Sequence, residues 1–337
     1  MSSHSAIIFP DDSAGPLISA IDSATKSLRI KMFVFTDPAL LRAVTAARYR
    51  NIKVQVMLNP ARRDGEDDNG STRETLIEAG IEVKDTNPAF GMTHEKSLAI
   101  DDELAFIGSL NWETENLTET RDYVICTSRP HEVGEMISCF DADWHRMPFA
   151  PGKHTHLVWC PINGRERIAR FIDDANHTLF VQNQRYQDPI VIERLVRAKE
   201  RGVKVHVLAR PPHTLKKDKL MEGVGGLRIM DDIGIKVHKL KNLKLHGMML
   251  LADGIRAING SINLAPGSFD DRRELAIETR DDEVVDRLHK AAHHDWEHSH
   301  PLDLTDEGLL SDLEQRSEEG AKSLVLSSQE RDRAETN

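Results

Sequence analysis

THEKSLAIDDELAFIGSLN, from Thr93 to Asn111, is echoed by LHGMMLLADGIRAINGSIN, from Leu245 to Asn263, at a constant offset of 152 residues. A match of this length marks one supersecondary unit used twice, and it decides the fold. Moving outward, the flanks repeat in the same order. KMFVFTDPALLRAVTAARYRNIKVQVML (Lys31 to Leu58) resembles LFVQNQRYQDPIVIERLVRAKERGVKVHVL (Leu179 to Leu208), and AGIEV (Ala79 to Val83) matches IGIKV (Ile233 to Val237). Asp143-Trp144 stands 152 positions before Asp295-Trp296.

Each half alternates helix and strand. Leu17, Ile18, Ile21 and Ala24 recur at the spacing of a helix face. Strands are expected over Ile30–Thr36 and Leu179–Gln184, each leading through an Asp-Pro pair, Asp37-Pro38 or Asp188-Pro189, into a second helix. Val54–Leu58 and Val205–Ala209 are short apolar runs of the buried, parallel kind. A hairpin follows in each half, Thr93–Ile107 or Lys244–Ile258, with Asp101-Asp102 or Asp253-Gly254 in the turn. The whole is an α/β layered architecture, and Pro148–His156, with its Pro-Gly and Pro-Phe pairs, reads as the linker.

Within the first copy His94, Lys96, Asp101, Gly108, Ser109 and Asn111 stand in the order His-x-Lys-x4-Asp-x6-Gly-Ser-x-Asn. Six fixed identities coincide by chance at only about one site in tens of millions. Alternate residues of a strand share a face, so His94 and Lys96 are expected to project together, with Ser109 and Asn111 arriving from the loop after the paired strand. An imidazole, an ammonium and several donors suit phosphate oxygens. The second copy keeps His246, Asp253, Gly260, Ser261 and Asn263 at the same spacings, but Met248 replaces the lysine.

This pattern resembles the signature of the phospholipase D superfamily, and the resemblance covers roughly residues 5 to 300. It implies two repeated lobes, 5–147 and 157–300, each a mixed β-sheet flanked by helices (an α-β-α sandwich), related by a pseudo-twofold axis, with an acidic tail over 301–337. It also implies that His94 attacks phosphorus to form a phosphohistidine while His246 serves as general acid and base, without cofactor or metal; the reverse assignment stays open. Glu274 and Asp122 follow their Gly-Ser-x-Asn motifs at equal intervals and are the candidate carboxylates behind the rings, although the family commonly has Glu at the place of Asp122. Lys96, Ser109, Asn111, Ser261 and Asn263 are the expected phosphate ligands. Asp101, Asp253, Gly108 and Gly260 are expected to be structural supports.

Met248 opens three readings: an active enzyme with asymmetric charge, a compensated one, or a noncatalytic phosphate or lipid-headgroup binder. Lys244, two residues before His246, is the expected compensating cation. Lys236, Lys239 and Lys241, together with Lys216, Lys217 and Lys219, would make the cleft mouth locally basic. Gln184, at the end of its strand, is a further candidate to reach substrate. The substrate expected first is a phospholipid, with cardiolipin synthase-like transfer as one form of the reaction; a nuclease is the alternative. The net charge of -11 and the 5% aromatic content weigh against nucleic acid, leaving few platforms for base stacking.

No apolar run approaches the ~20 residues a membrane span needs and the start, MSSHSAIIFPDDS, lacks the pattern of a signal peptide, so a cytoplasmic protein with at most peripheral membrane contact is expected, and, with both motifs in one chain, a monomer. The tail from Pro301 to Asn337 carries ten Asp/Glu against four Lys/Arg and is expected to hold one short helix, Asp306–Arg316, followed by disorder. Cys126, Cys139 and Cys160 lack metal-ligand spacing and are expected to be reduced, buried thiols. His289, His293, His294, His298 and His300 read as a helix face and its end rather than a metal site, Trp144 and Trp296 as lobe-core anchors, and Met92, Met248 and Met249 as apolar packing near the cleft.

Overall fold

The computed structural model of the chain describes residues 3–60, 67–153, 155–211, 220–311 and 314. In the first lobe the order is β1 (His4–Phe9), α1 (Gly15–Asp22), β2 (Ser27–Met32), α2 (Pro38–Tyr49), β3 (Lys53–Leu58), α3 (Gly70–Glu78), β4 (Glu82–Asp85), β5 (Met92–Thr93), β6 (Ser97–Ile100), β7 (Leu104–Gly108), α4 (Thr114–Thr118), β8 (Thr120–Thr127) and α5 (Pro130–Trp144). The second lobe repeats it as β9 (Leu157–Cys160), α6 (Gly164–Asp173), β10 (Thr178–Asn183), α7 (Pro189–Glu200), β11 (Lys204–Ala209), α8 (Leu220–Asp232), β12 (Lys236–Leu240), β13 (Lys244–Leu245), β14 (Met248–Ala252), β15 (Arg256–Gly260), α9 (Pro266–Asp270), β16 (Arg272–Thr279), α10 (Asp282–Glu297) and β17 (Ser299–Pro301).

The Asp-Pro pairs do what their chemistry suggests: Asp37 caps α2 through the amides of Ala39 and Leu40, and Asp188 caps α7 through that of Val191. β2 starts and stops earlier than expected. The amides of Thr36 and Asp37 both donate to the carbonyl of Trp112 at 2.8 Å, which draws the chain off the sheet after Met32.

Among the described residues, the first sheet has eight strands, seven in the order β1-β8-β7-β6-β2-β3-β4 and β13 paired to β8 off that path, and the second has nine, eight in the order β17-β12-β11-β10-β14-β15-β16-β5 and β9 paired to β16. Two short strands are exchanged. β5 of the first lobe runs parallel to β16 of the second, with Met92 opposite Arg272. In return β13 runs parallel to β8, with Lys244 opposite Thr120.

Each lobe has an outer core beneath its own helices. A further core belongs to both lobes: Ile107, Tyr123 and Ile125 meet Trp159, Met249, Leu251 and Leu275. Each such side chain is worth roughly 1.5–3 kcal/mol when buried, so the shared core alone ties the lobes firmly. Buried ion pairs repeat the exchange. Arg121 of β8 grips Asp295 of α10 at 2.8 Å, and Arg273 of β16 grips Asp143 of α5 at 3.1 and 3.2 Å.

The boundary expected at residue 300 cuts through packed structure. β17 pairs antiparallel with β12, Leu302 and Leu304 are buried in the second lobe's core, and the Arg228 guanidinium donates to the Leu304 carbonyl. Residues 306–311 are helical; the remainder of the expected tail helix and the expected disorder lie outside the described residues, Glu314 excepted. Cys126, Cys139 and Cys160 are free thiols, the first of them only half-buried. Trp144 stacks on Phe140 in a small separate cluster, whereas Trp296 is half-buried, packs against the core shared by both lobes and stacks on His238 with ring centres 4.1 Å apart.

Candidate active site

The strand exchange places the motif histidines. His94, Glu95 and Lys96 lie between β5 and β6, where the chain leaves the second sheet for the first, so they do not share a strand face. The His94 amide still donates to the carbonyl of Arg273 at 2.9 Å, and the Lys96 ammonium turns back to donate to the His94 carbonyl at 2.7 Å. Glu95 points elsewhere, to the buried Lys31 ammonium at 2.9 Å. In the second lobe the same break falls between β13 and β14. The amide of Gly247 donates to the Arg121 carbonyl at 2.7 Å, and a Cβ on Gly247 would lie 2.8 Å from that oxygen, so only glycine fits there.

Each imidazole meets a carboxylate of the opposite lobe. His94 Nδ1 lies 3.1 Å from Glu274 Oε2 and 3.0 Å from the Ser261 carbonyl. His246 Nδ1 lies 2.9 and 3.1 Å from the two oxygens of Asp122. The Ser261 carbonyl can only accept, so Nδ1 of His94 carries hydrogen and a neutral ring presents Nε2 as a lone pair. Asp122 is fixed by the hydroxyls of Ser109 and Thr120, which donate at 2.6 and 2.5 Å. Although it is one methylene shorter than Glu274, it engages His246 with both oxygens.

Burial governs the charges. Burial and the neighbouring Lys96 ammonium hold the His94 imidazole down at about 4, against the pull of Glu274. Burial likewise lowers Lys96 to about 7, in spite of Glu274, Asp122 and Glu113. The carboxylates of both histidine pairs, Glu274 and Asp122, act on the Lys96 ammonium.

Several of the expected ligands engage partners within the protein. Ser109 and Ser261 are wholly buried: the Ser109 hydroxyl donates to Asp122 and accepts from the Tyr123 amide, and Ser261 accepts from the Leu275 amide at 3.1 Å. Through these bonds they brace the carboxylate strands β8 and β16. Lys244 points away from His246 and pairs with Glu115 and Glu119 at 2.7 and 3.2 Å, because the strand break removes the shared face on which its compensating role depended. Asn111 donates to Glu113 at 2.7 Å, and the buried amide oxygens of Asn111 and Asn263 have no hydrogen-bond partner among the described residues. Lys236 and Lys239 lie on β12 and Lys241 just beyond it, while Lys216, Lys217 and Lys219 fall outside the described residues.

The supports take the expected positions. Asp101, at φ 56°, accepts from the amides of Thr25, Lys26 and Ser27, and Asp253, at φ 55°, from those of Asn176, His177 and Thr178. A Cβ on Gly260 would sit 2.2 Å from the Leu275 carbonyl; one on Gly108 would meet the side chains of Leu110 and Val124 at 3.1 and 3.2 Å and the Tyr123 carbonyl at 3.7 Å. Gln184 donates to the His246 carbonyl at 3.1 Å, which is what Lys96 does for His94. Met248 and Met249 are buried, and Met92 is half-buried.

The sequence repeat marks Asp143 and Asp295 only as equivalent positions, and the motif spacing gives Arg121 and Arg273 no role. Their clasp was encoded in that coincidence: an arginine one residue before each carboxylate and an aspartate 152 residues from its twin.

A family model described as "Cardiolipin synthase, PLD-like domain" matches residues 17–144 and 168–296. The chain belongs to the phospholipase D superfamily. Its lobes are the two copies of that domain. Over 140 residues it is 33% identical to the human (Homo sapiens) mitochondrial cardiolipin hydrolase, covering 41% of this chain and 53% of that protein. Over 219 residues it is 27% identical to the polyphosphate kinase of Vibrio parahaemolyticus, covering 59% of this chain and 31% of the kinase. The chain thus spans about half or less of the curated relatives named here. Among solved structures, the phosphatidylserine synthase of Haemophilus influenzae superposes with a TM-score of 0.68 at 11% identity, covering 95% of this chain and 94% of that one, which establishes the shared fold. Phosphoryl transfer is the chemistry this superfamily supports.

Among the described residues, two groups of side chains have ligand atoms close enough for a metal ion: His131, Glu132 and His156, and Glu95, Cys139 and Asp143. The latter already surrounds the Lys31 ammonium. On α10, His289 and His293 meet edge to face at 4.6 Å and His293 packs on Phe180 at 5.0 Å. No helix among the described residues is long and apolar enough to cross a membrane.

Proposed function

We propose that this chain cleaves or exchanges phosphodiester bonds of phospholipids through a covalent phosphohistidine. The observation that carries the reading is the pair of crossed histidine–carboxylate contacts, His94 with Glu274 and His246 with Asp122. His94, neutral at pH 7 and with Nδ1 already engaged, is the nucleophile: its Nε2 lone pair bonds to phosphorus as the bond from phosphorus to the leaving alcohol breaks. His246, oriented by Asp122, gives its Nε2 proton to that alcohol and then takes one from the water or acceptor alcohol that resolves the phosphohistidine. Lys96 stabilises the charge on the phosphorane oxygens. A phospholipid substrate is supported by the named activity of the cardiolipin hydrolase relative and by the whole-chain likeness to a phosphatidylserine synthase.

The test is incubation with labelled phosphatidylglycerol or phosphatidylcholine vesicles and with single-stranded DNA, followed by quenching and detection of an acid-labile, base-stable protein adduct. Adduct and turnover with lipid, both lost in His94→Ala, are expected. Turnover with DNA alone would replace the lipid reading with the nuclease, and binding without adduct or turnover would leave only a headgroup-binding protein.

A further inference from the structure

The first lobe presents Lys96 to the site, whereas the second has Met248 at the equivalent place and uses the uncharged Gln184 to hold the His246 carbonyl. One other position breaks the repeat with a change of charge beside a catalytic carboxylate. Thr120 precedes Asp122 by two residues and donates to it; the residue 152 positions on, two before Glu274, is Arg272.

Arg272 lies at the start of β16, on the same strand face as Glu274, and its Nη1 is 3.9 Å from Glu274 Oε1. That is too long for a good hydrogen bond. Its nearest hydrogen-bond partner is the Ser268 hydroxyl, at a weak 3.4 Å, and its buried Nε has no partner among the described residues. The side chain is nine-tenths buried. The flank of the guanidinium rests over Gly267, where an added Cβ would make an ordinary contact with Nη2 at 3.8 Å. An arginine with five donors, buried yet so incompletely satisfied, is unusual unless a further acceptor joins it. Its charge reaches the reacting groups, lowering the proton affinity of both His94 and Lys96.

We propose that Arg272 is the second phosphate-binding cation of this site, contacting a non-bridging oxygen of the phosphoryl group together with Lys96 and so standing in for the lysine absent at Met248. The inference rests on the phosphoryl-transfer reading above. It sets both cations against the non-bridging oxygens, on which negative charge builds as His94 adds, and leaves protonation of the leaving oxygen to the His246 pair. A forked guanidinium suits this role because it can bind one phosphate oxygen while remaining near Glu274.

The experiment uses the full chain and two readouts. Calorimetric binding of inorganic phosphate to the resting protein is measured beside turnover of bis(p-nitrophenyl) phosphate, for wild type, Arg272→Ala, Arg272→Thr, Met248→Lys and Arg272→Ala/Met248→Lys. Circular dichroism and melting temperature establish that each variant folds. Arg272→Ala and Arg272→Thr are expected to lose phosphate affinity at least tenfold and turnover about 10²–10³-fold. Met248→Lys is expected to recover at least tenfold of that turnover in the double variant. Because the Arg272 charge suppresses protonation of His94, the acid limb of the pH–rate profile should move to higher pH in Arg272→Ala. Should folded Arg272→Ala bind phosphate and turn over within twofold of wild type, or should Met248→Lys restore nothing, Arg272 merely braces Glu274 and the inference falls. Wild-type protein that binds phosphate but neither turns over nor forms an adduct overturns the catalytic reading instead, and the binding arm still decides whether Arg272 holds phosphate.

Discussion

His94 and Lys96 stand next to each other with proton affinities set by burial, at about 4 and about 7. The proposed reaction needs His94 neutral and Lys96 charged. Its kcat/KM should therefore rise as pH climbs through about 4 and fall as it passes about 7, a bell measured with the free enzyme and a soluble diester. Lys96→Arg, which keeps its charge, should move the alkaline limb up by more than one pH unit even if the peak rate drops. Stability runs the other way. Since Lys96 is depressed to about 7 in the folded protein, the unfolded chain binds more protons between about pH 10.5 and 7, and stability declines as pH falls through that window. Lys96→Met, the exchange already present at Met248, should raise the urea-derived stability at pH 7 by about 1–2 kcal/mol while turnover falls at least 100-fold. The histidines were legible in the sequence because spacing alone identifies them. The serines and Lys244 were not, since which way each points depends on a strand break that spacing does not reveal.

The elements that carry these residues are held by clasps and by stacked rings, and each makes a measurable difference. Arg121 is nearly inaccessible to solvent, bonded to Asp295, to the carbonyl of Phe9 and to Asp11. Asp295→Ala should cost about 3–5 kcal/mol in urea unfolding by leaving Arg121 without its main counter-charge, and replacing both residues with Met and Leu should regain most of it. On the face of the second sheet turned toward the shared core, His206 lies between Phe180, at 4.7 Å, and Trp296, at 4.5 Å, and burial with the nearby His293 and Lys236 lowers it to about 4. The unfolded imidazole titrates near 6.5, so the folded state binds fewer protons and loses stability as pH falls from 6.5 towards 4. His206→Gln should flatten that part of the melting-temperature profile. Helices and strands were legible from apolar periodicity and the Asp-Pro caps. The stacking was hidden, because histidines scattered over β11, β12 and α10 converge only after the sheet forms.

At the scale of the molecule, the offset of 152 residues made the two lobes visible but not their interlock, because a repeat tells which residues are equivalent and not which edges pair. The end of the second lobe was misplaced for a similar reason: Ser299–Pro301 is short and polar, and only its pairing with β12 shows that it belongs there. Residues 1–153 and 154–337, produced separately, should each expose part of the shared core and show no turnover, whereas mixing them should restore activity together with a complex of one copy of each, measured by sedimentation and hydrolysis.

The crossing of β5 and β13 has a consequence for inheritance. With each ring steadied by an acid encoded in the other half of the gene, a lesion that disables either copy disables both, so the duplicated halves cannot drift apart as a working one and a spare.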